Sequence, residues 1–146
     1  TIATIALLSG AVGQYVAGRM VDRHRPERLY LGAVVLGTIF VFLMAKGLNI
    51  FLVVSAILYS FSYFSTQPIQ NYLLTQYLPE HRQGIGFGIH FFLTFGVGST
   101  AAAVCGYLAD HFGLESVFYA MGICFIVSSC LAFVLVLRAT SVNSGQ

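Results

Sequence analysis

Five stretches of this sequence contain no Asp, Glu, Lys or Arg: Thr1–Gly18, Leu29–Ala45, Gly47–Pro79, Gln83–Ala109 and Ser116–Leu137. A helix crossing a bilayer needs ~20 mostly apolar residues, within a range of ~17–25. The first two stretches sit at the short end of that range and the others are ample. A soluble helical protein would alternate polar and apolar faces, and these stretches do not. A β-barrel would show short dyad segments rather than long unbroken runs. Hydrophobic residues make up 58% of the chain and charged residues 8%, against ~25% charged in ordinary soluble domains. So little polar surface cannot cover a soluble core, and lipid is the solvent this sequence implies. The expected fold is all-α, a polytopic transmembrane bundle over 1–138 with helices at about 1–18, 29–46, 50–77, 84–108 and 116–137. A polar tail, 139–146, follows. Residue 1 is a threonine at the head of an apolar stretch, so the expectation is a piece of a longer protein.

The charge is concentrated in the connections. Loops alternate between the two sides of the membrane, so one side collects Arg19, Arg23, Arg25, Arg28, Arg82 and Arg138, and the other only Lys46. Cytoplasmic loops carry the Lys/Arg excess. The 19–28 loop, the 78–83 loop and the C-terminus are therefore expected in the cytoplasm, in an integral protein of the plasma or inner membrane. A net charge of +2 offers no broad basic face, which argues against a nucleic-acid partner. Cys105, Cys124 and Cys130 lie in apolar runs without metal-ligand spacing. With no nucleophile–base pair, metal cluster or nucleotide motif, no enzyme activity, metal or cofactor is expected.

The loop "GRMVDRHRPERLYL" has an ordered pattern: Gly18, three residues, Asp22-Arg23, then Arg25 and Arg28. It resembles the signature loop of the major facilitator superfamily, although Arg25 stands where that family has a second glycine and Pro26-Glu27 replaces two bases. "STQPIQNYLLTQYLPEHRQGIGFG" is similar to the family's proline-containing helix followed by a Pro-x-x-Arg-x-Gly loop. "GYLADHFGLESVFYAMG" is similar to its penultimate loop and the start of its last helix. The resemblance covers essentially the whole chain and aligns it with helices eight to twelve of a twelve-helix secondary transporter. The glycine-rich helix is also similar to that of efflux members. The resemblance implies a solute carrier working by alternating access, with the N-terminal half as a partner. It also implies a conformational latch at Gly18, Asp22 and Arg23, in which a pair formed in one conformer biases the equilibrium by its differential energy.

Polar side chains inside the apolar runs need protein or water partners and so face a bundle interior or cavity. Gln67 and Asn71 are four apart and share a face, with Tyr63 one turn earlier and Gln70 beside them. Gln67 lies ten residues before Tyr77, about 15 Å along a helix and near the middle of a ~30 Å core. Pro68 frees a backbone carbonyl there. Transporter sites lie near the midplane at such interrupted helices, so Gln67, Asn71, Gln70 and Tyr63 are candidate substrate-binding residues for a small molecule. His90, titratable near neutrality and inside a helix, and Thr94 on the same face are candidate coupling or pathway residues. Gly98, Ala102 and Gly106 recur every four residues and read as a helix-packing stripe. The rival is a non-transporting structural or assembly subunit of the membrane, whose polar residues only bind neighbouring helices.

Overall fold

The computed structural model describes residues 2–143. Its elements are α1 (Ile2–Val21), α2 (Pro26–Lys46), α3 (Ile50–Tyr77), a single 3-10 turn at Glu80–Arg82, α4 (Gln83–Phe112) and α5 (Leu114–Asn143). Several helices run past the uncharged stretches, because charge does not stop a helix. α2 opens on Pro26, whose ring presets a helical φ and whose missing N–H needs no partner there. Glu27 follows in the first turn, where a carboxylate meets the positive end of the helix dipole. α4 continues through Asp110 and His111 and stops at Gly113, which has φ 83°, a conformation costing glycine little. Gly47 makes the other sharp turn: a Cβ there would lie 2.9 Å from the Leu43 carbonyl oxygen and 3.1 Å from Leu52 Cα.

The expected polar tail from residue 139 is helical as far as Asn143. "RATSVN" is polar but holds neither Gly nor Pro. Thr140 donates to the Val136 carbonyl at 2.8 Å and Ser141 to that of Arg138 at 2.9 Å, so the hydroxyls are absorbed within the helix. Residues 144–146 of that tail lie outside the described residues. Among the described residues, four helices are long and apolar enough to cross a membrane, namely α2, α3, α4 and α5. α1 has 20 residues, which is length enough, but Ser9, Gln14, Tyr15 and Arg19 dilute its apolar character.

α3 is the axis of the bundle, with α1 and α2 packed against it and α5 packed against α2. α1 turns Gly10, Gly13 and Ala17 inward. A Cβ on Gly13 would collide with the Phe61 carbonyl and lie 2.8 Å from Ser65 Oγ, and one on Gly10 would enter the Phe64 ring. That closeness allows hydrogen bonds across the pair: Ser60 donates to the Ala6 carbonyl at 2.7 Å, and Ser9 to that of Ile57 at 3.0 Å. Small residues and hydroxyls are what bring helices together where lipid supplies no hydrophobic drive. At the α2–α5 contact, Gly37 receives the Phe125 ring and Gly122 the Phe42 ring. Val41 is fully buried beside them on α2.

The packing expected of Gly98, Ala102 and Gly106 does not occur within this chain. α4 buries no residue, Ala102 is exposed, and a Cβ on Gly98 or Gly106 would meet nothing within 4 Å. α4 instead meets α5 beside the Gly113 link, where Ser116 Oγ donates to the Leu108 carbonyl at 3.1 Å.

Candidate functional site

Where α4 stands away from α3, the two helices enclose a polar cavity of about 250 Å³. From α3 come Tyr63, Thr66, Gln67, Gln70 and Asn71, and from α4 come His90, Phe91, Thr94 and Phe95. The candidate substrate residues and the candidate coupling residues, picked from stretches of sequence about twenty apart, thus line one space. Helical spacing explains each half: 63, 66, 67, 70 and 71 form one stripe of α3, and 90, 91, 94 and 95 one stripe of α4.

The lining divides by what each group already does. Gln67 accepts a hydrogen bond from the Gln14 side-chain amide of α1 at 2.7 Å, and Gln70 donates to the Tyr30 hydroxyl of α2 at 3.0 Å. Thr66 is buried and donates to the Tyr63 carbonyl at 2.6 Å, one turn before Pro68. The side chains of Asn71 and Thr94 and the ring nitrogens of His90 have no hydrogen-bond partner among the described residues. With the Tyr63 hydroxyl, they are polar groups still open to a ligand. Aromatic rings make the rest of the wall. Phe87, Phe91 and Phe95 stack along α4 at 6.4 and 6.1 Å between centroids, and Tyr63 stacks on Tyr59 at 5.8 Å. No carboxylate, lysine or arginine lines the cavity. It can hold a small amphipathic molecule between aromatic faces while offering a few amide, hydroxyl and imidazole contacts.

A second cavity, of about 400 Å³, continues toward the arginine-rich end. It shares Gln70 and His90 with the first and adds Tyr30, Leu73, Leu74, Tyr77 and Leu78. Behind its wall lies Glu27, a residue the sequence did not single out. It is only 7% exposed and its Oε1 accepts a hydrogen bond from the Tyr77 hydroxyl at 2.8 Å. A glutamate among arginines reads as part of a solvated loop. The signal available was its place in the first turn of a helix opened by Pro26. Gln14 was missed as well, although it too is polar in an uncharged stretch.

The candidate latch residues lie apart from both cavities. Asp22 and Arg23 are exposed, and no ion pair joins them to each other or to another described residue. The loop is held by its backbone, with the Arg23 and His24 amides both donating to the Met20 carbonyl at 3.0 Å.

Comparison with known proteins agrees with this architecture. The family model described as Major Facilitator Superfamily matches residues 1–146. A curated relative, the "Multidrug efflux pump Tap" of Mycolicibacterium fortuitum, is 30% identical over 135 residues, covering 90% of this chain and 32% of the relative. The chain thus spans about a third of the length of that protein. No solved structure matches. With a bundle of apolar, membrane-length helices and a family match along its length, this chain belongs to the major facilitator superfamily.

Proposed function

We propose that this chain is part of the wall of a secondary transporter that moves a small amphipathic solute by alternating access, in the manner of an efflux pump. The observation that carries the reading is the α3–α4 cavity, which gathers Tyr63, Gln67, Gln70, Asn71, His90 and Thr94 between aromatic rings. Two of these residues also support the rival, a structural subunit, since Gln67 and Gln70 are engaged in bonds between helices. Asn71, His90 and Thr94 have no such use, and they tip the balance toward a solute. In the complete protein an N-terminal half faces this wall, His90 and Thr94 serve coupling or the pathway, and Gly18, Asp22 and Arg23 form a latch at the cytoplasmic surface. α1 spans with the other four helices, and the C-terminus is cytoplasmic.

The sharp variants are Asn71→Ala and His90→Ala, because neither side chain supports the fold by a hydrogen bond. Loss of one polar contact to a solute is worth ~0.5–1.5 kcal/mol, so KM for export of a planar amphipathic dye from energised vesicles should rise about two- to tenfold in each. Expression of the full-length transporter should stay unchanged. Unaltered kinetics in both variants removes the cavity from the solute path and leaves the structural reading.

A further inference from the structure

We propose that the groove between α1 and α2, floored by α3, is a binding site for one anionic phospholipid. Its acyl chain would lie in the groove and its phosphate on Arg28. The groove is a cavity of about 220 Å³ floored by Phe61, Ser62, Ser65 and Ile69 of α3. Met20 of α1 and Leu29, Ala33 and Leu36 of α2 form its sides. The serines do not make it polar. Ser62 donates to the Leu58 carbonyl at 3.0 Å and Ser65 to that of Phe61 at 2.7 Å, so both hydroxyl protons are spent inside α3. What remains asks for a hydrocarbon occupant.

The one charged residue of the lining is Arg28, at the loop end of the groove. Its guanidinium has no partner among the described residues, whereas that of Arg19 is held by the Tyr15 hydroxyl at 2.9 Å. The neighbouring acid does not compensate it, since Glu27 is buried and bound to Tyr77. Arg25 and Arg23 add positive charge at the same end. From Arg28 to Leu36 the groove runs about 12 Å along α2, so a headgroup at the interface and a chain reaching into the hydrocarbon fit its polarity and direction. Basic pockets between helices hold anionic headgroups in this way.

The test uses the full-length protein in detergent, titrated with dioleoyl phosphatidylglycerol or with the phosphatidylcholine of the same chains, and read by native mass spectrometry. One phosphatidylglycerol should be retained in preference to phosphatidylcholine. Arg28→Ala should weaken that retention about fivefold, the value of one basic side chain near an anionic surface, and Arg28→Lys should restore most of it. Gly32→Phe should abolish it. Gly32 lines the groove, and a Cβ there meets nothing within 4 Å, so the substitution starts from open space. The proposal is overturned if Arg82→Ala, an exposed arginine outside the groove, weakens retention as much as Arg28→Ala. It is equally overturned if soluble glycerol phosphate competes as well as the lipid, or if Gly32→Phe leaves retention unchanged. Should Gly32→Phe instead prevent folding of the full-length protein while Arg28→Ala retains lipid normally, a helix occupies the groove and the lipid reading fails.

Discussion

Glu27 and Tyr77 form a bond whose two halves are unequal. The carboxylate is buried at the start of α2, while the tyrosine sits half out at the end of α3. Removing the donor leaves a buried acceptor unmet, at a cost of ~1–3 kcal/mol and more where the group is charged. Tyr77→Phe should therefore clearly lower the thermal stability of the detergent-solubilised full-length protein. Glu27→Gln keeps an acceptor oxygen for Tyr77 and should lower it less. The reverse order in a melting experiment means that the carboxylate is held by the helix dipole and not by the tyrosine. The same contrast marks what single residues disclose in a sequence. Asn71 and His90 were legible because a polar group in an apolar run must face something. Gln14 obeys the same rule, but its role depends on Gln67, 53 residues away, and helical periodicity speaks only about a residue's own helix.

At the scale of elements, uncharged length disclosed the helices but not which of them touch. Gly98, Ala102 and Gly106 have the spacing of a contact stripe and lie open, while Gly10, Gly13 and Ala17, spaced three and four apart, are buried, with the two glycines directly against α3. Spacing reports that a close approach is possible; only the partner's surface decides whether it happens. On α3 that surface is a row of buried hydroxyls, Ser60, Ser62, Ser65 and Thr66, whose protons go to backbone carbonyls. Gly13→Leu forces a side chain into the Phe61 carbonyl, and overpacking of that kind costs ~1–3 kcal/mol or more. Folded yield of the full-length protein, read by size-exclusion chromatography, should fall sharply. Gly98→Leu places its Cβ where nothing among the described residues outside its own turn lies within 4 Å. It should leave the α1–α3–α2–α5 core intact, as checked by cross-linking cysteines placed at Ala6 and Ser60. A fall in full-length yield with that cross-link retained locates a neighbouring helix on the bare face of α4.

For the whole molecule, the one-sided arginines predict an orientation. In a cysteine-free background, a cysteine at His111 should react with a membrane-impermeant thiol reagent applied to intact cells, and one at Gln83 should not. Both positions are accessible enough to report, His111 being exposed and Gln83 partly so, and the opposite labelling inverts the topology. The bundle also has an unusual order of contacts: α5 reaches back to α2, while α4, the helix just before it in the chain, buries nothing. Membrane helices insert first and associate afterwards. During biogenesis α4 accordingly lacks a packed partner among the described helices. It should stay exposed until a surface from elsewhere in the full-length protein captures it, and a quality-control protease would find that span the most accessible part of an orphaned fragment.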